Sequence, residues 1–261
     1  MILDEIIADR KIAVANLKTK ISLQAIKDTI KDNTNNNKFK KISFKAALSG
    51  GDIGIIAEVK KASPSKGLIC KDFDYKSIAK EYEKGGALAL SVLTEPKYFK
   101  GSDKYLSEIK ELVNIPILRK DFIIDEYQIY EAKSIGADAL LLIVAALTDE
   151  ELNRFYKVAK KLDLDCLVEA HNEQEVQRAL NMGADIIGVN NRNLKTFEVS
   201  IDTTEKLRTL IPEDKIFVTE SGIHTNEDVK RLRKLNISAM LIGESIVKEK
   251  DRIGKMKELL K

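Results

Sequence analysis

Ile55-Ile56-Ala57-Glu58-Val59-Lys60-Lys61-Ala62-Ser63-Pro64-Ser65-Lys66-Gly67 begins as an apolar run and ends as a polar loop bearing proline and glycine. Side chains alternate along a strand, so Ile56, Glu58 and Lys60 share one face while Ala57 and Val59 take the other. A carboxylate and an ammonium then stand ~7 Å apart along the backbone, two strand rises, on a face that starts apolar. Charge withdrawn from water is costly unless it is paired, so the two need a reason to be there. A surface ion pair on an exposed strand is one reading and the mouth of a pocket is the other.

From Ile53 onward the same unit recurs: a short, nearly continuous apolar run, a polar loop and an amphipathic helix. The apolar runs are Ile53 to Val59, Ala87 to Leu93, Ile115 to Leu118, Ala137 to Val144, Leu164 to Val168, Asp185 to Val189, Lys215 to Thr219 and Ser238 to Ile242. Continuous apolar strands alternating with helices indicate a buried parallel sheet. Helix starts are marked by Thr148-Asp149-Glu150-Glu151 and Asn172-Glu173-Gln174-Glu175, each a cap residue with Glu three positions later, and Asp125 to Gln128 is similar. Helix ends carry glycine before the next strand, at Gly85-Gly86, Gly136 and Gly183, with Asn236 filling that slot before the eighth strand. Eight such units in roughly 205 residues predict an α/β protein of the (β/α)8 TIM-barrel class rather than an open doubly wound sheet. The first strand is followed by no Gly-x-Gly-x-x-Gly, which counts against dinucleotide binding.

Ahead of the first strand, Met1 to about Leu17 and Ser22 to about Ile30 have helical periodicity, and Asp32 to Lys41 is read as a loop. Residues 1–50 are thus expected to be an N-terminal helical extension of one barrel domain spanning 1–261. The composition, 44% hydrophobic and 33% charged, is that of a globular protein, and a net charge of +3 is too balanced to suggest nucleic acid or membrane binding. The apolar run nearest in length to a bilayer span, Ile135 to Leu147, is too short and contains Gly136 and Asp138. Cys70 and Cys166 have no metal or disulfide spacing, and with no secretory signal a cytoplasmic location is the default expectation.

A barrel places its active site at the C-terminal ends of the strands. Those ends read Glu58 and Lys60; Thr94-Glu95; Lys120, flanked on its own face by Leu118 and Phe122; Glu169; Asn190 to Asn193; Glu220-Ser221-Gly222; and Gly243-Glu244. Each has a plain alternative. Lys120 beside Arg119 and Asp121 suits a solvated strand end, Asn190 to Asn193 ordinary turn chemistry, and Ser221-Gly222 a simple turn. Their convergence at one end of the barrel favours a site. The loops after strands seven and eight are the customary phosphate cradle of such barrels, which nominates Ser221, Gly222, Gly243 and the backbone amide of Glu244, whose side chain must then point away. Ser63 in the first loop can add a hydroxyl. His171 and His224 lie one step into loops and are left out of the chemistry. No metal-ligand set or acyl-transfer nucleophile is found.

In this order, Ile-Ala-Glu-Val-Lys-Lys-Ala-Ser-Pro-Ser (within 55–65), Leu-Arg-Lys-Asp-Phe-Ile (118–123), Leu-Val-Glu-Ala-His (167–171), Gly-Val-Asn-Asn-Arg-Asn-Leu (188–194), Glu-Ser-Gly-Ile (220–223) and Ile-Gly-Glu-Ser (242–245) closely resemble the indole-3-glycerol-phosphate synthase family of tryptophan biosynthesis. The resemblance covers nearly the whole chain. It implies closure, decarboxylation and dehydration of 1-(2-carboxyphenylamino)-1-deoxyribulose 5-phosphate, with no cofactor and no metal. It also implies a small phosphorylated substrate, and no fused partner enzyme is visible. By the same resemblance Lys120 is the general acid for ring closure. Lys60 contacts the substrate carboxylate, and the family leaves open which lysine serves as acid in dehydration. Glu58 and Glu169 orient or accept protons, Asn190 hydrogen-bonds the developing hydroxyl, and Arg192 holds the aromatic acid end. Phe122 and Leu194 are candidates by position for the anthranilate pocket, ordinary packing being their alternative. Two rival functions fit the same residues: a Schiff-base aldolase using Lys60 or Lys120, and a non-catalytic phospholigand-binding barrel.

Overall fold

The computed structural model describes residues 2–193 and 196–261. Among them, eight parallel strands close into a barrel: β1 (Gly54–Val59), β2 (Ala89–Leu93), β3 (Ile117–Lys120), β4 (Ala139–Ile143), β5 (Asp165–Ala170), β6 (Ile186–Asn190), β7 (Ile216–Glu220) and β8 (Ala239–Ile242). Each strand pairs with its neighbours in sequence, and β8 returns to β1 through pairs such as Ala57 with Ile242. Apolar side chains line the interior, among them Ile56, Ala89, Leu118, Leu141, Leu167, Ile186, Val218 and Leu241. The opposite faces of the strands pack under the helices, which is why the runs read as continuously apolar.

Four strands outlast their apolar runs. β3 continues to Lys120, β5 to Ala170, β6 to Asn190 and β7 to Glu220. Backbone pairing persists where the side chains turn polar, as in Leu93 with Lys120 and Asn190 with Glu220. Those polar side chains are therefore held on a rigid ladder and not on loops.

Three helices precede the barrel: α1 (Ile2–Lys20), α2 (Leu23–Asn35) and α3 (Phe44–Leu48). The stretch expected to be a loop from Asp32 is helical through Asn35. There Thr34 Oγ1 donates to the Ile30 carbonyl, and Asn33 Nδ2 donates 2.8 Å to the carbonyl of Ser134. A polar sequence without an apolar face can thus extend an established helix when its side chains find partners. The short α3 has no periodic signature in five residues. Ser43 caps it, and its fully buried Phe44 and Leu48 join the interior cluster of the barrel.

The outer helices are α4 (Tyr75–Lys84), α5 (Asp103–Lys110), α6 (Glu126–Ser134), α7 (Asp149–Lys161), α8 (Glu173–Met182), α9 (Asp202–Arg208) and α10 (Asn226–Arg233), then the short α11 (Glu244–Val247) and α12 (Arg252–Leu260). Thr148 and Glu151 form the expected capping box of α7. Asn172 caps α8, but the Glu175 side chain turns to the Asn172 amide and to His171 instead of closing a box. Gly183 and Asn236 both take left-handed backbone (φ +86° and +51°), so Asn236 does serve the glycine slot before β8.

Candidate active site

Parity along the strands sends Glu58, Lys120, Glu169 and Glu220 inward above the apolar layers. All four meet in one cavity of ≈ 450 Å³ at the C-terminal mouth of the barrel. Glu58 is buried and ion-paired with Lys60, which stands just beyond the end of β1. The Lys120 ammonium is ion-paired with Glu220 and lies 3.5 Å from Glu169 Oε2. Burial opposes the charge on Lys120, but the carboxylates of Glu220, Glu169 and Glu58 outweigh it and hold the ammonium above its usual pKa.

The two carboxylates beside Lys120 are driven apart. Burial penalises the ionised form of Glu169, yet Lys120, His171 and a hydrogen bond from the Asn190 amide together lower its pKa. For Glu220, burial is only partly offset by Lys120, while Glu169 and Glu58 add repulsion, so its pKa is raised. Its Oε1 has no hydrogen-bond partner among the described residues and faces Gly188, where an added Cβ would lie 2.7 Å away. One buried carboxylate thus stays ionised and the other binds a proton more readily, the separation that acid and base roles require.

The phosphate-loop candidates line the same cavity. Ser221 and Gly222 take consecutive left-handed conformations (φ +67° and +81°), a turn that gathers successive backbone N–H groups. Asn191 fixes this turn from behind: its Nδ2 donates to the Ser221 carbonyl, and its Oδ1 accepts from Thr204. Within the Asn190 to Asn193 stretch, then, Asn190 lines the cavity and Asn191 is buried structure. Gly243 begins α11, and Ser245 Oγ donates to the Ile223 carbonyl, joining the two loops. The Glu244 carboxylate does turn aside, to Lys66 at 3.0 Å and to Lys248. Ser63 lies in a short hairpin whose two-residue strands are Ala62–Ser63 and Gly67–Leu68, and it lines the cavity.

Apolar side chains line part of the same cavity. Phe122 pairs with Phe99 at 6.1 Å between ring centroids, and Ile2, Leu3 and Ile6 of α1 line the same cavity. Glu95 shapes the loop that presents Phe99, accepting from the backbone N–H groups of Lys97, Tyr98 and Phe99. Arg192 is also a lining residue, its backbone N–H donating to Asn190 Oδ1, and Leu194 lies outside the described residues. Arg119 and Asp121 point out of the barrel. Asp121 accepts from Thr94 and from the buried Arg10 of α1, and so ties α1 to the strand end that carries Lys120.

Several residues in or beside the cavity were not nominated by the sequence. Glu220 follows Ile216 and Val218 on an alternating face, so strand parity could have found it. His171, set aside as a loop residue, has Nε2 3.3 Å from Glu169 Oε1, and its spacing of two from Glu169 was the available signal. The α1 residues gave no local signal, because their contact with the cavity spans the whole fold.

A family model described as indole-3-glycerol phosphate synthase matches residues 3–259. A protein of that name from Endomicrobium trichonymphae is 54% identical over 259 residues, covering 99% of each chain. Another from Ruminiclostridium cellulolyticum is 51% identical, covering 99% of this chain and 98% of its own. Among solved structures, 3-hexulose-6-phosphate synthase from Salmonella typhimurium superposes with a TM-score of 0.64 at 12% identity, over 79% of this chain and 96% of that one, a likeness of fold alone. With a family model spanning almost its full length and relatives identical at half their positions or more, the chain belongs to the indole-3-glycerol phosphate synthase family.

Proposed function

We propose that the barrel mouth closes the indole ring of 1-(2-carboxyphenylamino)-1-deoxyribulose 5-phosphate by general acid–base catalysis, yielding indole-3-glycerol phosphate, carbon dioxide and water. The observation that carries this reading is the Lys120 ammonium set between an ionised Glu169 and a proton-binding Glu220, in the same cavity as the Glu58–Lys60 pair.

Ring closure joins the carboxylate-bearing aryl carbon to the ketone carbon. The ketone oxygen gains charge as this bond forms, and Lys120 donates the proton that neutralises it. Lys60 pairs with the substrate carboxylate, and Glu58 holds Lys60 in position. The bond to that carboxylate then breaks, its electrons restore the aromatic ring, and carbon dioxide leaves. In dehydration the new hydroxyl departs as water after taking a proton, with Asn190 holding its oxygen. Glu169, already ionised, accepts the ring proton lost in the same step, and Glu220 stores and returns protons to Lys120.

The phosphate is assigned to the N–H groups of the Ser221–Gly222 turn and of Gly243 and Glu244, with Ser63 adding a hydroxyl. Phe122 and Phe99 flank the anthranilate ring, and Arg192 faces its acid end. A Schiff-base mechanism would need a neutral amine, which the carboxylates around Lys120 oppose. The test is to mix the purified chain with the carboxyphenylamino sugar phosphate. Indole fluorescence should rise with one equivalent of carbon dioxide, and no fluorescence, or a borohydride-trapped substrate adduct on Lys120, would overturn the reading.

A further inference from the structure

His171 stands two residues beyond Glu169, where β5 gives way to the turn before α8. Its ring lies between two carboxylates, with Nε2 3.3 Å from Glu169 Oε1 and Nδ1 2.9 Å from Glu175 Oε2. Glu175 is itself fixed, accepting from the His171 backbone N–H at 2.8 Å and from the Asn172 amide at 2.6 Å. A neutral imidazole has one N–H and would turn a bare lone pair toward one of these carboxylates, whereas the imidazolium turns an N–H toward each: Nδ1 hydrogen-bonds Glu175, and Nε2, with no hydrogen-bond partner among the described residues, stands at ion-pair distance from Glu169. On the far side of Glu169 is Lys120, shared with Glu220 and within the field of Glu58. From α9, Asp202 and Lys206 border the small surface recess beside His171, and Lys206 pairs with Glu173 at 2.9 Å.

We propose that His171 is a positioning residue: as an imidazolium braced by Glu175, it aims the Glu169 carboxylate into the cavity and keeps it ionised, leaving Glu220 as the carboxylate that takes up a proton. The proposal rests on the reading of Glu169 as a proton acceptor given above. Glu169 and Glu220 share a single ammonium, and one cation cannot hold two buried carboxylates equally in the charged form. His171 adds a second cation on the Glu169 side only. Burial works against that charge, but Glu169 and Glu175 prevail and raise the imidazole pKa to about 10. The arrangement orders the two carboxylates before substrate arrives.

The chain holds two histidines, so nitrogen-15 histidine NMR on the wild type, with His224→Gln for assignment, reads His171 directly. Both ring nitrogens of His171 should remain protonated across the neutral range. A neutral ring at about pH 7 would overturn the proposal whether or not the enzyme turns over the expected substrate. Kinetics supply the second arm. His171→Gln keeps a donor near Nε2 without the charge, so the acidic limb of the kcat profile should rise by about one pH unit, with kcat about tenfold lower on that limb and KM within about twofold. His171→Ala should lose more in kcat, and His171→Gln should restore part of that loss above the limb. Equal kcat losses at every pH, or unchanged kinetics in both variants, would overturn the proposal. An inactive wild type with a charged His171 would instead count against the functional reading alone.

Discussion

A Cβ on Gly243 would lie 2.2 Å from Glu58 Oε2 and 3.0 Å from Lys60 Nζ. The first separation is far inside van der Waals contact, and the carboxylate it meets is buried with little room to retreat. Gly243 therefore leaves the space in which the Glu58–Lys60 pair sits. Gly243→Ala should displace both side chains and lower kcat on the order of 100-fold, since a shift of about 1 Å in a catalytic group has that effect. Steady-state kinetics beside a circular dichroism spectrum checks this, and a variant with wild-type kcat would show that the pair can relocate freely.

Arg10 is the buried link between α1 and the strand end bearing Lys120, with Nη2 3.1 Å from Asp121 Oδ2. Arg119 also approaches Asp121, at 3.6 Å, but is committed to Asp103 and Glu131. Removing Arg10 leaves a buried carboxylate short of a cation, so Arg10→Ala should cost about 3 kcal/mol in denaturant unfolding. Because Ile2, Leu3 and Ile6 ride on the same helix, KM should rise several-fold while kcat changes less. A variant with reduced stability and an unchanged KM would separate α1 from substrate binding.

Glu220 gives stability a pH dependence of defined sign. Its folded pKa is raised above the ordinary 4.5 by burial, with Lys120 offsetting only part of the effect. From 4.5 upward, the folded state keeps a proton that the unfolded chain has released. The contribution is thus fully present below 4.5 and is lost as pH rises through the raised value. Glu169, with its lowered pKa, acts oppositely and only at acid pH. Melting curves from about pH 5 to about pH 8 should show wild type losing Tm relative to Glu220→Gln. Parallel curves would mean that Glu220 is ionised throughout.

The barrel was legible because its strands are buried on both faces and so read as apolar runs, and because glycine or asparagine punctuates the helix ends. How far the strands run was less legible: the apolar runs stop short of Lys120, Asn190 and Glu220, and backbone pairing carries on through them. α3 was invisible because five residues cannot establish a period, although Phe44 is among the most deeply buried side chains. Glu58, Lys60, Lys120 and Glu169 could be nominated from parity alone. That Lys120 is shared with Glu220, a hundred residues away, is a product of barrel closure that no local pattern encodes. His171 was passed over for a related reason, since a turn position says nothing about which carboxylates will flank the ring.

Lys120 as the proton donor in ring closure is the centre of the account. The most direct measurement is single-turnover indole fluorescence of Lys120→Ala with saturating substrate, alongside calorimetric binding of the same compound to confirm that the site is filled. The account predicts binding within about tenfold of wild type and a closure rate lower by roughly three orders of magnitude or more. Turnover near the wild-type rate would contradict it.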